Sequence, residues 1–414
     1  MFLSAFRLSQ RVSRTTARRF YEYHTLQAPR ATKSTPCYQS DALKDEYGEM
    51  TDSGEICTFH NVVLEHGGLL PKVDVCYNSY GKLNEAKDNC MVVCHALTGN
   101  SQLDGWWGDM LGPGKSFDTD KYFVICANVL GSCYGSTGPK SIDPTTNKPY
   151  GMSFPECTIR DTVSVHMRML KEHLGVKSVH CVYGGSLGGM QALEWTIMGG
   201  DFIKNAVLIG CGSSHTAWQI AISEAQRQAI YADPKWNDGN VDMEDPPNKG
   251  LAVARQMAMI WYRSSANYAG KFGRKHLPEE KENTVAAGGV TNPLGYKVPR
   301  DKVYKVQTYL EYQGYKFKDR FDPVTYIKVT EQMDSHDIGR GRGEDIPAVL
   351  QGISTNCLVV GIKSDILYPL YEQNELATNI PNADFEVIEG EDGHDAFLLE
   401  QEQLAGFIKK FLNK

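Results

Sequence analysis

The stretch that decides the fold is Cys181-Val182-Tyr183-Gly184-Gly185-Ser186-Leu187-Gly188-Gly189. It begins with an apolar run, passes through a glycine-rich turn and leads into residues 190–195, which have helix-forming composition. Glycines two positions before and after Ser186 allow a strained turn that would expose the serine hydroxyl at a helix N-terminus. The order strand, turn, helix predicts that Ser186 is a nucleophile rather than a capping serine in an ordinary turn.

Apolar runs alternate with helical patterns along much of the chain, in the order expected of a mostly parallel sheet. Several runs are apolar nearly throughout, which is typical of strands covered on both faces. Together with the serine turn, this order predicts an α/β-hydrolase fold. The predicted strands are 91–96, 122–127, 178–183, 205–209, 356–361 and 384–388, and helices are predicted at 158–174 and 187–198.

The segment 218–336 does not continue this alternation of apolar runs and helical patterns. It has helical patterns, at 250–263 and 303–313, separated by loops rich in Asn, Gly and Pro. Strand and helix patterns alternate again after it. We therefore predict a discontinuous α/β core made of 37–217 and 337–414, with 218–336 inserted as a helical cap over the sheet.

The N-terminus differs in composition from the rest of the chain. Five arginines and no acidic residue precede Glu22. An Arg-rich, Ser-bearing and acid-poor segment is typical of a mitochondrial transit peptide, although a disordered basic tail has the same composition. We expect residues 1–36 to be one or the other, in a mitochondrial or a cytoplasmic protein respectively.

Composition argues against several classes of protein. A net charge of -7 is unlike the basic field of a nucleic-acid binder. No run of about 18 apolar residues is present that could span a bilayer. The eleven cysteines include no CxxC pair and several lie in apolar runs, which is typical of reduced core cysteines. We therefore expect no nucleic-acid or membrane partner, no metal and no cofactor apart from a co-substrate.

A nucleophilic serine needs a base and an orienting acid, which in this fold follow the serine in the order acid, then histidine. Asp365 lies just past the strand predicted at 356–361, and His394 follows the next predicted strand on a glycine-containing loop. Because functional residues collect at the carboxyl ends of parallel strands, these side chains should meet. We predict Ser186, Asp365 and His394 as a catalytic triad, with Asp392 as the alternative acid.

The oxyanion that forms on an attacked carbonyl requires preorganised donors. We predict the backbone amide of Leu187, after the nucleophile, and that of Leu97, in the loop after the strand at 91–96. His95 in the same loop is an alternative catalytic histidine. It precedes the serine in the chain, which is against the expected order.

Four segments of the sequence resemble the homoserine O-acetyltransferases of methionine biosynthesis, over roughly 59 to the C-terminus. The segments are Cys94-His95-Ala96-Leu97-Thr98-Gly99, Gly131-Ser132-Cys133-Tyr134-Gly135-Ser136-Thr137-Gly138-Pro139, the turn and helix at 184–195, and Asp392-Gly393-His394-Asp395-Ala396-Phe397. The resemblance implies the same triad and a ping-pong transfer of acetyl from acetyl-CoA to L-homoserine through acetyl-Ser186. It also implies a homodimer formed through the cap helices.

The resemblance further implies two substrate-binding residues. Arg227 matches an arginine that holds the substrate carboxylate in the family, although by itself it has the pattern of an ordinary helix-surface arginine. Asp395 matches the family's partner for the amino group of the amino acid. Leu187 stands where many relatives carry methionine, a change that leaves the backbone amide in place.

The acceptor and the donor stay open at this point. Close relatives acylate serine, which would suit a mitochondrial enzyme of cysteine biosynthesis, or the hydroxyl of a deacetylated cephalosporin. Succinyl-CoA is the alternative donor. An esterase would share the triad and pass the acyl group to water. A non-catalytic binding protein of this fold would usually lack a triad member, whereas all three candidates are present here.

Overall fold

The computed structural model describes residues 53–276 and 304–414, preceded by three short strands. These strands are Thr35–Pro36 (β1), Leu43–Asp45 (β2) and Gly48–Met50 (β3). Residues Ala31–Lys414 form one compact unit. Apart from β1, the predicted transit segment 1–36 lies outside the described residues.

The remaining strands are Glu55–Val63 (β4), Leu69–Tyr80 (β5), Cys90–Cys94 (β6), Phe123–Ala127 (β7), Ile142–Asp143 (β8), Lys148–Pro149 (β9), Val179–Gly185 (β10), Ile203–Ile209 (β11), Asn356–Ile362 (β12) and Ala383–Ile388 (β13). Within the described residues, nine strands form one sheet in the order β1-β4-β5-β7-β6-β10-β11-β12-β13. The pairings from β7 to β13 are parallel, and those that join β1, β4, β5 and β7 are antiparallel. The prediction of a mostly parallel sheet is confirmed.

All six strands predicted from apolar runs are present in this sheet, with ends that differ by at most two residues. Strands β6 and β7 are buried at every position, as expected for strands covered on both faces. The antiparallel pair β4–β5 was not predicted. Exposed polar residues such as His60, Asn61 and Lys72 lie between buried residues in these strands, so neither strand is a continuous apolar run.

The helices of the described chain are Asp104–Trp107 (α1), Ile159–Arg168 (α2), Leu187–Gly199 (α3), Ala217–Tyr231 (α4), Asn248–Trp261 (α5), Ser265–Lys271 (α6), Lys305–Phe317 (α7), Pro323–Asp334 (α8), Ile346–Gln351 (α9), Leu370–Asn379 (α10), Ala396–Leu399 (α11) and Gln401–Leu412 (α12). A π-helical turn, Met169–Leu174, extends α2. Short 3-10 turns are Gly108–Met110, Gly151–Ser153, Gly200–Phe202, Pro234–Gly239 and Gly393–Asp395. The helices predicted at 158–174 and 187–198 are α2 with its extension and α3.

Between β11 and β12 the described residues form the helices α4 to α9 and add no strand to the sheet. The residues that lead into this helical segment are hydrogen-bonded to the residues that lead out of it. The His215 amide donates to the His336 carbonyl at 2.7 Å, and the Ile338 amide donates to the Ser213 carbonyl at 3.1 Å. The helices predicted at 250–263 and 303–313 correspond to α5 and α7. The boundaries of a separate cap domain at 218 and 336 stay a prediction.

No helix in the described part of the chain is long and apolar enough to cross a membrane. The ten described cysteines are free thiols, and all except Cys133 are buried. Within residues 53–276 and 304–414, no cluster of three or more His, Cys, Asp or Glu side chains could hold a metal ion. The expectation of a cofactor-free enzyme stays a prediction.

Candidate active site

Ser186 occupies a strained turn between β10 and α3. Its backbone has φ 58° and ψ −125°, a conformation that residues with a side chain rarely adopt. The Ser186 amide donates to the Ile209 carbonyl on the neighbouring strand β11 at 3.0 Å. The turn is thereby held to the sheet, and the serine lies at the N-terminus of α3.

Two glycines of the predicted motif make this turn sterically feasible. A Cβ on Gly184 would lie 1.9 Å from the Gly188 carbonyl oxygen. A Cβ on Gly188 would lie 2.1 Å from the carbonyl oxygen of Cys94 on β6. Strand, turn and helix thus approach more closely than any side chain permits, which explains why glycine stands on each side of Ser186.

His394 and Asp365 form a buried hydrogen-bonded pair. Nδ1 of His394 lies 2.6 Å from Oδ2 of Asp365. The other carboxylate oxygen accepts the amides of Leu367 and Tyr368, each at 2.8 Å. Asp365 follows β12 and His394 lies in the 3-10 turn Gly393–Asp395 after β13, so two adjacent parallel strands bring the pair together.

The second ring nitrogen of His394 remains available for chemistry. Nε2 is buried and has no hydrogen-bond partner among the described residues, and His394 and Ser186 line the same cleft. Burial by itself lowers the pKa of His394, but the charge and hydrogen bond of Asp365 outweigh it, with help from Asp395. The net pKa is raised, as expected for a histidine that takes a proton from a nucleophile.

The cleft opens to solvent, and the space within it, including the open solvent at its mouth, is about 560 Å³. Its wall is mostly apolar with a few polar groups, which is typical of small-molecule sites. The lining residues are Ala96, Leu97, Thr98, Gly99, Trp106, Ser186, Arg255, Tyr262, His394, Asp395, Phe397 and Leu398. The α/β core and the helical segment between β11 and β12 therefore both contribute to it.

Of the two predicted oxyanion donors, one lines this cleft and the other directly follows Ser186, which also lines it. Leu97 is on its wall, in the loop after β6. Leu187 is the first residue of α3, where a backbone N–H has no acceptor within the helix. The positive end of the helix dipole adds to the attraction for an anion there. Both amides remain predicted donors.

His95, the alternative histidine, has a structural environment. Its Nε2 accepts the Val129 amide at 3.1 Å, and its Nδ1 donates to the Ala96 carbonyl at 2.8 Å. Burial lowers the pKa of His95 to about 4. Both ring nitrogens are occupied in a neutral ring, which leaves neither for proton transfer.

Asp392, the alternative acid, is engaged elsewhere. Its Oδ1 accepts a hydrogen bond from Nδ2 of Asn267 at 2.7 Å and lies 3.8 Å from Nη1 of Arg263. Both partners belong to the helical segment. Asp365, and not Asp392, is the carboxylate that contacts His394.

Arg227 is not among the residues that line this cleft, and its role in binding the substrate carboxylate stays a prediction. It is a buried residue of α4 whose Nε lies 2.9 Å from Glu224 and whose Nη2 lies 2.7 Å from Asp334. Two carboxylates already neutralise this guanidinium. A short sequence match assigned the residue to a helix correctly, but the packing of that helix decides which arginine reaches the cleft.

Arg255 is a cleft residue that the sequence analysis missed. It lies on α5, is only 2% exposed and lines the cleft. Its guanidinium is 4.9 Å from the Phe317 ring and 5.8 Å from the Tyr262 ring. No carboxylate among the residues the structure describes lies within salt-bridge distance. A signal was present, since Arg255 and Tyr262 are seven residues apart on one face of a predicted helix.

Asp395 does line the cleft, next to His394 in the chain. Its side chain is buried, and its Oδ2 lies 3.2 Å from Nε of Arg263. Its amide donates to the Tyr262 carbonyl at 3.1 Å. The structure thus brings Asp395 to the predicted site, already paired with one arginine.

Residues 89–401 match the family model described as the alpha/beta hydrolase fold. A homoserine O-acetyltransferase of Nostoc punctiforme is 47% identical over 84% of this chain and 92% of its own. One of Chloroherpeton thalassium is 46% identical over 89% of this chain and 90% of its own. The crystal structure of homoserine O-acetyltransferase from Bacillus anthracis superposes with a TM-score of 0.75 at 24% identity, covering 92% of this chain and 98% of that one.

These comparisons support the fold and the type of enzyme. At 24% identity the solved structure supports the fold assignment alone. The two curated relatives come from bacteria, so they give no support to the mitochondrial location predicted from the N-terminus.

Proposed function

The chain belongs to the homoserine O-acetyltransferase family of α/β hydrolases, and we propose that it transfers acetyl from acetyl-CoA to the hydroxyl of L-homoserine in methionine biosynthesis. One observation carries the proposal: the cleft of Ser186 and His394 also has Arg255 and Asp395 on its wall. A nucleophile with a base would serve any acyl transfer. A buried cation and a buried carboxylate beside them fit the two charged ends of an amino-acid acceptor.

In the first half-reaction, Nε2 of His394 accepts the hydroxyl proton of Ser186 while Oγ attacks the thioester carbonyl of acetyl-CoA. The amides of Leu97 and Leu187 hold the resulting oxyanion. The carbon–sulfur bond then breaks, and His394 returns its proton to the departing CoA sulfur. Ser186 is left as an acetyl ester.

Asp365 acts on this step through His394. By accepting the Nδ1 hydrogen bond at 2.6 Å, it favours the tautomer in which Nε2 is free to accept a proton. Its negative charge also stabilises the imidazolium that forms. The raised pKa of His394 supports this role.

In the second half-reaction, L-homoserine replaces CoA in the cleft. His394 Nε2 accepts the proton of the homoserine hydroxyl, whose oxygen attacks the acetyl carbonyl of acetyl-Ser186. The ester bond to Oγ breaks, and the proton passes from His394 to Ser186. The products are O-acetyl-L-homoserine and free enzyme, which completes a ping-pong cycle.

We assign the carboxylate of homoserine to Arg255, in place of Arg227. The Arg255 guanidinium is buried against the rings of Tyr262 and Phe317 and has no carboxylate partner among the described residues. An unpaired buried charge is costly, and a carboxylate that meets the planar guanidinium offsets that cost. The substrate would therefore complete an ion pair for which the protein supplies one half.

We assign the amino group of homoserine to Asp395. Arg263 approaches one of its oxygens, and a carboxylate has enough lone pairs to accept a further donor. Anchoring both ends of the acceptor holds its hydroxyl near the acetyl ester, which favours transfer over attack by water.

The experiment offers purified protein acetyl-CoA or succinyl-CoA together with L-homoserine or L-serine. CoA release is followed by thiol assay and the amino-acid product by mass spectrometry. We expect acceptor-dependent release with acetyl-CoA and L-homoserine, and little with the other three pairs. If CoA release is the same with and without acceptor in all four mixtures, hydrolysis replaces the proposed transfer.

Two serine variants serve as controls for this experiment. Ser186→Ala should abolish CoA release and the formation of acetyl-enzyme. Ser153→Ala, outside the cleft, should leave both unchanged. Parallel lines in double-reciprocal plots would support the ping-pong order, whereas intersecting lines would require a ternary complex.

We also propose the homodimer through the cap helices that the family resemblance implies. The exposed residues Tyr312 and Tyr315 on α7 support an apolar contact there. Light scattering after gel filtration should give about twice the chain mass of 46.1 kDa. A mass equal to one chain would contradict the proposal.

A further inference from the structure

The first turn of α4 is hydrogen-bonded to the loop that carries Asp365. Nε1 of Trp218 donates to the Ile366 carbonyl at 3.0 Å, and Nε2 of Gln219 donates to the Leu367 carbonyl at 2.9 Å. Ile366 and Leu367 are the two residues directly after Asp365. Helix α4, in the segment between β11 and β12, is therefore hydrogen-bonded to residues 365–367, which we call the acid loop.

The orientation of the Gln219 amide is determined by its surroundings. The side chain is fully buried, and its Oε1 accepts the Thr216 amide at 2.6 Å. A backbone N–H can only donate, so the atom facing Thr216 must be the oxygen. Nε2 consequently faces the Leu367 carbonyl and the carboxylate of Glu372, whose oxygens lie at 3.0 and 3.2 Å.

Leu367 links this contact to the catalytic pair. Its carbonyl accepts from Gln219, while its own amide donates to Oδ1 of Asp365 at 2.8 Å. The other oxygen of Asp365 contacts Nδ1 of His394 at 2.6 Å. A continuous series of hydrogen bonds thus runs from Gln219 through Leu367 and Asp365 to His394.

We infer that Gln219, assisted by Trp218, is a positioning residue of the acyl-transfer site that aligns Asp365 with His394. The inference rests on the proposed roles of that pair. Helix α4 is itself held in place by packing against α5, the helix that carries Arg255. The ring of Trp218 reinforces this packing through an edge contact of 5.2 Å with Trp261 on α5.

The test replaces Gln219 by methionine, which keeps the length of the side chain and removes the donor. Gln228→Met is the matched control, since Gln228 is an exposed residue of the same helix. The pKa of His394 is followed by NMR of ¹⁵N-labelled histidine, with the resonance assigned through His394→Gln. This readout needs no turnover, so it stands even if homoserine is not the acceptor.

We expect the pKa of His394 to fall by about one unit in Gln219→Met, a tenfold weaker preference for the imidazolium. The sign follows from Asp365, whose charge and hydrogen bond raise that pKa in the intact site. The other charged groups at the cleft, Asp395 and Arg255, are unchanged in the variant. We also expect kcat to fall at least about tenfold, with KM for homoserine nearly constant. Gln228→Met should change neither.

A folded Gln219→Met variant with an unchanged His394 pKa would overturn the inference. If that variant does not fold, Trp218→Phe removes the donor to the Ile366 carbonyl while it keeps an aromatic ring against Trp261. It should lower the same pKa to a smaller extent, and no change would again be contrary evidence.

Glu372→Gln separates the hydrogen bond to Leu367 from the contact with the Glu372 carboxylate. This variant keeps the Gln219 bond to the Leu367 carbonyl, so the pKa of His394 and kcat should stay at the wild-type level. If it reproduces the full effect of Gln219→Met, the carboxylate rather than the loop contact is responsible and the inference fails.

Discussion

Asp365 and His394 are 29 residues apart in the chain, and Oδ2 of the aspartate lies 2.6 Å from Nδ1 of the histidine. Each follows the end of a parallel strand, β12 or β13, and these strands are neighbours in the sheet. The carboxylate is fixed by two backbone amides, and the imidazole is buried with Nε2 unoccupied. Ser186 lines the same cleft as this pair, which is the arrangement that the proposed acyl transfer requires.

Asp365→Asn should lower kcat by about 10³- to 10⁴-fold, because an amide can no longer enforce the tautomer with a free Nε2. Steady-state assays of acetyl transfer to homoserine measure the effect. Asp392→Asn is the matched control and should retain most activity, since Asp392 contacts Asn267 and not His394. An equal decrease in kcat in the two variants would support Asp392 as the acid.

The acid limb of the pH profile of kcat/KM should lie above pH 6.5, the ordinary histidine pKa from which His394 is raised. Activity requires the neutral ring and therefore falls as the pH drops through the raised pKa. The corresponding stability has the opposite sense, because raised affinity for a proton stabilises the fold at low pH and this contribution is lost as the pH rises through the folded-state pKa. An acid limb below pH 6 would contradict the assignment.

The two arginines should respond differently to removal. Arg255→Met should raise KM for homoserine by about tenfold to hundredfold and leave the formation of acetyl-Ser186 unchanged, because it removes the acceptor's ion pair. Arg227→Met should lower Tm, since it leaves Asp334 and Glu224 without their cation, and should leave KM nearly unchanged. A raised KM for homoserine in Arg227→Met, with an unchanged KM in Arg255→Met, would indicate that Arg227 binds the homoserine carboxylate.

Gly188→Ala should prevent folding or leave an inactive protein, because the added Cβ would lie 2.1 Å from a backbone carbonyl oxygen that belongs to β6. Gly406→Ala in α12 is the control. No atom lies within 4 Å of a Cβ added there, so the change should stabilise the helix by about 0.5–1 kcal/mol. Circular dichroism during thermal unfolding measures both variants.

Glu372→Gln should raise Tm more at pH 8 than at pH 5. Burial raises the pKa of Glu372 to about 7 from its ordinary 4.5, so the folded protein binds a proton that the unfolded chain releases in this range. The free energy of unfolding of the wild-type protein therefore decreases as the pH rises from the unfolded-state pKa of Glu372 through its folded-state pKa. The glutamine variant does not titrate and avoids that loss. A constant difference in Tm across the range would indicate that Glu372 does not titrate there.

Much of the fold could be predicted because its signals are local. Continuous apolar runs identified six strands of the parallel part of the sheet, and the spacing of glycines around Ser186 identified the turn. The antiparallel pair β4–β5 was not predicted because exposed polar residues such as His60 and Lys72 interrupt its apolar runs. The order acid, then histidine after the nucleophile also identified Asp365 and His394, since strand ends collect at one edge of a parallel sheet.

The sequence by itself determined the class of fold and the candidate triad, because apolar runs, the glycine-rich turn and the order of acid and histidine can all be read along the chain. Only the tertiary structure decided that Arg255 rather than Arg227 reaches the cleft, that Arg263 pairs with Asp395, and that Gln219 holds the acid loop. Gln219 and Leu367 are 148 residues apart. Contacts across such separations arise from how the helices pack on the core, and no local pattern of residues records that packing.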